Sequence, residues 1–486
     1  MHSCDHPRLP RFALVVPCFI AVLTVVNYGF SISVIRSISS IEKSSPYKID
    51  FNNDVDEDAG DVAMIILAKT RALEESSLRF YMYDHPNITL KNVAIKKHDH
   101  KWNRYGNEAA YDANTIKALE KSPLRTLDPN EADLFIPPVP FGNLVTSKDG
   151  TDLINLVYET LVNHPVFRKH HGDKHILVAT PYILFRSDKY SYVGGMVKWY
   201  RNLMIQNMSV AMSWDPNAVI NALQEGIDFH EYTAEFKKLK ALSRRSFSLG
   251  LGSSSDLPNP DLHLATMAKF HNSSNLVFYQ TRTRGSMYNS TIFRHAPVTN
   301  ITLAGGGGGG DGDGDGVGDG DGDGDGDGDG DGDGDGDGDG DEGDHNLNFP
   351  KSSIGFGIDD IGAWKHEYAN SKFCLVIRGD SPHSRAFWRS VRAGCIPVVV
   401  ADALPIYSPI FKSTLNMNDY AVILGEEYFV RDVRKALLKL QEMSDVEVEG
   451  KLQHLAFAQR VMMHDHPHSL FVPAFLREGV LATYVH

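Results

Sequence analysis

The chain contains 486 residues, 42% of them hydrophobic, which is enough to form two domains with ordinary apolar cores. Its formal net charge is −14, but residues 311–344 alone contain sixteen Asp and one Glu. The rest of the chain is therefore close to neutral, which excludes the strongly basic surface that is typical of nucleic-acid-binding proteins. We expect no nucleic-acid partner.

An apolar stretch near the start of the chain predicts a membrane anchor. Phe12–Ile35 has 24 residues between two arginines, and a helix of this length spans the roughly 30 Å of bilayer hydrocarbon. A cleaved signal peptide is the alternative, but its apolar core is usually about 7–15 residues long. We therefore predict a cytoplasmic tail over residues 1–11, a signal-anchor transmembrane helix over residues 12–35 and a polar stem over residues 36–77.

Glycosylation sequons indicate the expected side of the membrane. The pattern Asn-x-Ser/Thr occurs after the apolar stretch at Asn87, Asn207, Asn272, Asn289 and Asn300. Such acceptor sites are used in secreted and lumenal proteins. They favour a lumenal body, whereas the balanced positive charges beside the apolar stretch do not set its orientation.

Downstream of the stem, short strands alternate with helical segments, which is the pattern of an α/β fold. The predicted strands of the first part are Arg79–Tyr83, Ala132–Pro137 and His175–Ala179. The predicted helices are Glu108–Glu120, Asp152–His164, Met196–Met204 and Asn221–Leu242, with a helical segment over Val62–Ala72 in the stem. We expect a Rossmann-like domain over residues 78–255.

A second alternation predicts another Rossmann-like domain over residues 256–486. Its predicted strands are Leu276–Gln280, Phe373–Ile377, Ile396–Val400 and Tyr420–Leu424. Its predicted helices are Gly362–Lys372, Pro382–Ala393, Val430–Gln441 and Val446–His464. Residues 305–344 interrupt the pattern with Gly and Asp-Gly dipeptides, which cannot bury a core. We predict a solvated, disordered insertion there.

One strand–turn–helix–strand segment of the second domain carries the strongest functional signal. Residues 373–400 read FCLVIRGDSPHSRAFWRSVRAGCIPVVV, in which Ser381 is a candidate helix N-cap. The turn places an arginine, a glycine and free helix N–H groups at the carboxyl end of a strand, where doubly wound sheets bind phosphorylated ligands. Two alternatives remain: such turns often bind nothing, and Arg378-Gly379-Asp380 could be an integrin-binding tripeptide, which its position after a buried strand disfavours.

This segment resembles the signature of the exostosin-like glycosyltransferases, glycosyltransferase family 47, which combines FCL, RGDSP, Ser, Arg and GCIPV ending in Asp. Four other segments resemble that family in the same order: RFYMYDHP from Arg79, PNEADLFIPP from Pro129, GDKHILV from Gly172 and LVFYQTRTRG from Leu276. The resemblance covers about residues 79–480, apart from the Asp-Gly insertion.

The resemblance implies a GT-B fold, in which two Rossmann-like domains face a cleft. It also implies inverting transfer of a sugar from a nucleotide-diphosphate donor, which we expect to be a UDP-sugar, to a glycan or polysaccharide acceptor. A Golgi-membrane, single-pass type II protein is the expected context, with a homo-oligomer or a second glycosyltransferase as a compatible partner. No metal or other cofactor is expected, because arginines and a helix N-terminus can neutralise a departing diphosphate.

Donor-binding residues are expected at two turns. They are Arg378, Gly379, Asp380, Ser381, Ser384 and Arg385 at the first turn, and Arg282 and Arg284 at the second. Arginines suit this role because they make bidentate phosphate contacts. We expect Arg378 to line the pocket rather than the core, while Arg282 and Arg284 could equally form a basic surface loop. Arg389 and Arg392 are interpreted as ordinary solvated helix charges.

Two residues of the first domain are candidates for catalysis. A neutral imidazole at His175 could deprotonate an acceptor hydroxyl, although a lone strand histidine is more often a satisfied core residue. Asp84, at the end of the first predicted strand, is the second candidate. In the other domain, Cys374 and Cys395 fit as small core hydrophobes, and a disulfide between them is left open.

One position departs from the family pattern. Ala403 follows the Asp that ends the signature, where many relatives carry an acidic residue. The missing carboxylate leaves a second function open, that of a catalytically inactive exostosin-like subunit or glycan-binding partner.

Overall fold

The structure is a computed structural model that describes residues 59–88, 103–140, 150–180, 208–228, 246–249, 260–281, 353–356, 361–378, 382 and 384–484. These residues belong to one compact unit that begins at Asp58. The predicted anchor and the Asp-Gly insertion lie outside them. Among the described helices, none is both long enough and apolar enough to cross a bilayer.

The N-terminal part alternates strands with helices. Its strands are β1 (Phe80–Met82), β2 (Arg125–Thr126), β3 (Leu134–Ile136), β4 (Ile176–Val178), β5 (Ser209–Met212) and β6 (Ser246–Ser248). Its helices are α1 (Ala59–Glu74), α2 (Asn103–Glu120), α3 (Gly150–Asn163), α4 (Pro165–His170) and α5 (Pro216–Gln224). Strands β1, β3 and β4 lie within the three predicted strands.

These six strands form two parallel sheets, here called the N-terminal sheets, in the orders β2-β1-β3 and β4-β5-β6. A parallel bridge between Phe135 and His175 connects the two, and the amide of Phe135 donates to the carbonyl oxygen of Lys174 at 2.9 Å. Because the strands run in one direction, their carboxyl ends share an edge. Asp84 lies at that edge beyond β1, and Thr180 lies there beyond β4.

The described residues of the C-terminal part form five strands and most of the described helices. Its strands are β7 (Asn275–Thr281), β8 (Ser353–Phe356), β9 (Ser371–Ile377), β10 (Ile396–Val400) and β11 (Val422–Ile423). Its helices are α6 (Met267–Asn272), α7 (Ile361–Ala369), α8 (Arg385–Arg392), α9 (Leu404–Tyr407), α10 (Met417–Tyr420), α11 (Glu426–Arg431), α12 (Val433–Leu438), α13 (Asp445–Met462) and α14 (Phe471–Tyr484).

The five strands form one parallel sheet, the C-terminal sheet, in the order β11-β10-β9-β7-β8. All five residues of β10 are buried, as the uninterrupted apolar run Ile396–Val400 requires of a central parallel strand. The predicted strand over residues 396–400 is confirmed in both bounds. Parallel sheets and interleaved helices confirm the predicted α/β class.

Helix α8 begins at Arg385, three residues later than the predicted start at Pro382. Its N-cap is Ser384, whose hydroxyl accepts a hydrogen bond from the amide of Ala386. Ser381 precedes that cap, so its assignment as N-cap was wrong. The predicted helix stop is confirmed: Gly394 has φ +62°, and a Cβ there would lie 2.5 Å from the carbonyl oxygen of His263.

Other helices differ from prediction because caps were overlooked. The helix predicted over Asn221–Leu242 begins at Pro216, where the Asp215 side chain accepts from two amides, and it ends at Gln224 with Glu225 as its C-cap. Asp432 likewise caps α12 and divides the predicted helix Val430–Gln441 into α11 and α12. Residues 196–204 and 229–242 lie outside the described ranges.

Two helices connect the N-terminal and C-terminal parts of the fold by packing against elements of the opposite part. Helix α14, late in the chain, packs against β3, β5 and β6, and the rings of Phe475 and Phe247 lie 5.5 Å apart between centroids. Helix α1, from the predicted stem, packs on α13, where Arg460 pairs with Glu74 at 2.9 Å. Helices from both ends of the described chain therefore hold the two parts together.

A short connection after β10 adds to this junction. The ring of Tyr407 stacks on Trp214 at 4.8 Å, and the Ser408 hydroxyl donates to the carbonyl oxygen of Ser213 at 2.7 Å. Farther along, Lys412 pairs with the buried carboxylate of Asp215 at 2.9 Å. Residues 407–412 thus fasten the carboxyl side of β10 to the N-terminal sheets.

Candidate functional site

A buried ion pair lies at the carboxyl edge of the C-terminal sheet. Arg378 follows β9 directly, is 2% exposed, and donates from Nε to Oε2 of Glu426 at 2.8 Å. Glu426 opens α11, just beyond β11. Its Oε1 accepts from the amide of Asp402 at 3.0 Å, and its own amide donates to the Asp402 carboxylate at 3.0 Å. Three neighbouring strand ends are joined in this way.

Burial and the neighbouring positive charge shift the pKa of Glu426 in opposite directions. Burial raises the pKa of the Glu426 carboxyl, and the Arg378 guanidinium opposes that rise less strongly. Arg378 and Glu426 neutralise each other, so neither charge is buried without a partner. Arg378 is therefore part of the core at this edge, which corrects the expectation that it lines a pocket rather than the core.

The first turn of α8 lies at the same edge of the sheet. Ser384 and Arg385 are both half-buried there, and the amino end of a helix carries the positive end of its dipole. The sequence placed both residues at this turn, and the structure keeps them at the helix start. Their position after β9 suits a ligand that carries negative charge.

Two other arginines of α8 are not solvated, contrary to the sequence-based interpretation. Arg389 is buried, with its guanidinium 5.0 Å from the centroid of the Trp364 ring. Arg392 donates to both carboxylate oxygens of Asp465, at 2.8 and 2.7 Å. Helix α8 packs on α13, and Arg389 lies against the Trp364 ring of α7, so both arginines have partners within the protein.

The structure places His175 in the core of the N-terminal sheets. Its Nδ1 donates to the carbonyl oxygen of Asp173 at 2.7 Å, and its Nε2 accepts from the Tyr83 hydroxyl at 2.5 Å. The ring stacks on Phe135 at 5.0 Å, and burial lowers its pKa to about 4. Both nitrogens are used within the fold, which favours the alternative of a satisfied core histidine.

Asp84 has a different environment. It is exposed, two residues beyond the end of β1 at the carboxyl edge of the N-terminal sheets. An exposed carboxylate at such an edge remains available to a ligand. No described contact joins Asp84 to His175, so the two candidates do not form one catalytic pair.

Five predicted site residues lie outside the described part of the chain: Gly379, Asp380, Ser381, Arg282 and Arg284. Within the described part of the chain, no group of three or more His, Cys, Asp or Glu side chains is arranged to hold a metal ion.

Sequence reasoning missed Glu426. Its position could have been recognised, because an apolar pair, Val422-Ile423, is followed by Gly425 and two acidic residues that open a helix. What the sequence could not indicate was its partner, since Arg378 lies 48 positions earlier in the chain. The parallel order β9-β10-β11 brings them together.

A disulfide bond links β9 to the start of β10, below the turn that follows β9. Cys374 of β9 is bonded to Cys395, which precedes β10, and both residues are fully buried. The bond closes a segment that contains Arg378, Ser384 and the whole of α8. The pairing left open by the sequence is therefore present.

Comparison with known proteins gives two matches. Residues 329–439 match the Exostosin GT47 domain, a range that contains the Arg378–Glu426 pair and the disulfide. A stretch of 72 residues is 38% identical to the Exostosin-1 homolog of Caenorhabditis elegans, covering 14% of this chain and 18% of that protein. The matched stretch thus spans about a fifth of that relative.

Parallel sheets with interleaved helices and a charged carboxyl edge place the protein in the α/β class, and this architecture fits a GT-B-like glycosyltransferase. Residues 329–439 match the Exostosin GT47 domain, and this match supports an exostosin-like GT47 assignment for that part of the chain. The family resemblance predicted from the sequence is supported over these residues.

Proposed function

We propose that this chain is a glycosyltransferase that transfers a sugar from a nucleotide-diphosphate donor to a glycan or polysaccharide acceptor, with inversion at the anomeric carbon. The donor is a UDP-sugar bound at the turn after β9, and the acceptor binds at the carboxyl edge of the N-terminal sheets. The observation that supports this most directly is the coincidence of the matched domain with that turn.

Charge and geometry support the donor side. A departing diphosphate needs positive charge and N–H donors that are already in place. The start of α8 supplies the positive end of the helix dipole and the guanidinium of Arg385, and the Arg378–Glu426 pair braces the strand end beside it. In this scheme Arg378 acts mainly by positioning the turn, and the direct phosphate contact falls to Arg385.

On the acceptor side, we propose Asp84 as the group that accepts the proton of the attacking hydroxyl. An exposed carboxylate at a strand end can approach a sugar hydroxyl, whereas His175 already uses both ring nitrogens. The proposal includes a lumenal, membrane-anchored protein of Golgi type that works alone or with a second glycosyltransferase.

A catalytically inactive subunit or glycan-binding partner is the second candidate. It is favoured by Ala403, which is 4% exposed and stands at the N-cap position of α9 without a side-chain cap, where many relatives of this family have an acidic residue. A chain that binds the donor but does not turn it over would fit this candidate.

The deciding experiment is a donor-by-acceptor screen of the full chain in detergent, with release of nucleotide diphosphate and formation of the glycosylated product as readouts. We expect turnover that survives EDTA. Arg385→Gln should weaken donor binding by roughly 10- to 150-fold, the range of a charge-assisted contact. Arg431→Gln, on an exposed helix face, is the control.

Donor binding without product would favour the inactive subunit. Loss of more than about nine-tenths of the activity in EDTA, restored by Mn²⁺, would contradict metal-free diphosphate departure.

A further inference from the structure

The sugar-transfer reaction proposed above gives no role to the N-glycosylation sequons of this chain. In two of these sequons, the structure describes the asparagine. These are Asn87, in the turn after β1, and Asn272, the last residue of α6. The two differ in what their side chains contact. We propose that Asn272 is an N-glycosylation site, so that the mature protein carries an N-linked glycan at the amino edge of its C-terminal sheet.

Local geometry favours Asn272. The residue is exposed, and α6 ends there, because Ser273 has extended backbone angles of φ −68° and ψ 125°. Ser274, which supplies the hydroxyl of the sequon, is exposed as well. Asparagine and hydroxyl group therefore both face solvent at a helix end, a place where a bulky polar group needs no rearrangement of the core.

The segment that presents Asn272 is itself well fixed. The Ser273 hydroxyl donates to the carbonyl oxygen of Lys269 at 2.9 Å, and Lys269 Nζ donates to the carbonyl oxygen of Ser371 at 3.0 Å. Phe270 is buried one turn earlier, with its ring 5.5 Å from that of Phe373. The glycan would thus be attached to a rigid surface point.

Asn87 provides a contrast within the same chain. Its side-chain amide donates to Thr160 Oγ1 at 3.3 Å, and it is followed by Ile88, which is fully buried. A glycan on that nitrogen would replace the contact with α3. The structure therefore accommodates the modification at Asn272 more easily than at Asn87.

The position also separates the glycan from the candidate site. Asn272 precedes the first residue of β7, at the amino edge, whereas the proposed donor residues lie at the carboxyl edge. A strand of seven residues is about 23 Å long, so these edges are well apart. A glycan at Asn272 would leave the donor turn open.

The modification is a group transfer from a lipid-diphosphate-linked oligosaccharide, catalysed by the oligosaccharide-transferring enzyme of the secretory pathway. The side-chain nitrogen of Asn272 forms a bond to the anomeric carbon of the first sugar. The bond from that carbon to the diphosphate oxygen breaks, and its electron pair leaves with the lipid diphosphate. The proton lost by the amide passes to a base of the transferring enzyme.

The test expresses the full chain in a eukaryotic secretory host and maps its glycans. Enzymatic removal of N-glycans in heavy-oxygen water converts an occupied asparagine to a labelled aspartate, which peptide mass spectrometry locates. We expect the Asn272 peptide to be labelled. Asn272→Gln and Ser274→Ala should each remove one glycan, whereas Ser273→Ala keeps the sequon and should keep the glycan.

Each outcome bears on the proposal. An unlabelled Asn272 in a chain whose other sequons are labelled would overturn the site and leave lumenal placement intact. A chain with no label anywhere would overturn the site together with lumenal placement, on which this inference rests. Sugar transfer is assayed separately, so failure of the proposed reaction would not be confused with absence of the glycan.

Discussion

At the scale of single residues, the pair Arg378–Glu426 has a structural role that does not depend on any ligand. Both side chains are at most 3% exposed, and Glu426 also holds the backbone of Asp402. Burying two charges is unfavourable unless each compensates the other, so loss of one partner leaves a charge without solvent or counter-ion.

Glu426→Gln should therefore destabilise the protein by about 3–5 kcal/mol, the usual effect of breaking a buried ion pair. The neighbouring Glu427→Gln is a matched control, because Glu427 pairs with Arg431 on an exposed helix face and should contribute only about 0.3–0.5 kcal/mol. Denaturant unfolding of both variants measures the difference. Equal effects would show that burial does not distinguish the two carboxylates.

His175 predicts a pH dependence of stability. Burial lowers its folded-state pKa to about 4, below the ordinary value of 6.5, so the unfolded chain binds a proton that the folded protein excludes. The resulting stability is present above pH 6.5 and is lost as the pH falls toward 4, by up to about 3 kcal/mol.

His175→Gln cannot titrate, so its stability profile should be flatter than that of the wild type between pH 6.5 and 4. The exposed His366 supplies the control, since His366→Gln should keep the wild-type profile. Thermal unfolding across this range tests the effect. An unchanged slope in His175→Gln would contradict the structural role of the buried ring.

Site residues were predictable where one stretch of sequence contains them and unpredictable where they depend on folding. The turn after β9 could be recognised because Arg378, Ser384 and Arg385 lie close together in the chain. The partnership of Arg378 with Glu426 could not, because it depends on the order of three strands. Burial of Arg389 depends equally on α7, a separate element.

At the scale of elements, the Cys374–Cys395 bond closes the strand–turn–helix unit that carries the candidate donor residues. A cross-link over 21 positions reduces the freedom of the unfolded chain. It also fixes the amino end of β10 to β9, below the turn.

Replacing both cysteines by alanine should lower the free energy of unfolding by about 3 kcal/mol, as expected for a loop of this size. A reducing agent should produce a similar loss in the wild type and none in the double variant. Cys4→Ser is the control, because that cysteine lies outside the described fold. Equal sensitivity of wild type and double variant to the reductant would contradict a structural disulfide.

Two helical glycines provide a matched test of packing. A Cβ on Gly479 of α14 would lie 2.2 Å from Cδ1 of Ile176, whereas one on Gly450 of α13 meets nothing within 4 Å. Gly479→Ala should destabilise by about 1–3 kcal/mol through overpacking. Gly450→Ala should stabilise by about 0.5–1 kcal/mol through helix propensity. Changes of the same sign would argue against the packing of α14 on the N-terminal sheets.

Elements were predictable where apolar periodicity and turn residues agree, as in β9, α8 and β10. Strand β6 was missed because Ser-Phe-Ser is too polar and too short to be recognised without its neighbours. Helix α14 was missed because most of its length is apolar, so its periodicity is weak. Its partner, the face of β3, β5 and β6, lies more than 200 positions earlier.

At the scale of the whole molecule, the predicted membrane anchor and the Asp-Gly insertion remain predictions from sequence. The insertion separates β7 from β8, which are hydrogen-bonded neighbours in the C-terminal sheet. Loop closure becomes only slowly less favourable as a loop lengthens, so such an insertion is compatible with a stable sheet.

Replacing residues 305–341 by a short Gly-Ser linker should leave the melting temperature and turnover nearly unchanged. A control variant of equal length with Asn in place of Asp separates the effect of charge from that of length. The measurement is thermal unfolding with and without divalent cations. A large fall in melting temperature would show that the repeat packs on the fold or binds an ion that the fold needs.

Helices α1 and α14 stand at opposite ends of the described sequence, yet they contact each other. The described part of the chain therefore begins and ends on neighbouring helices, of 16 and 14 residues. A peptide linker between these two helices, with a new opening in the Asp-Gly segment, should give a circular permutant that preserves every described strand and helix.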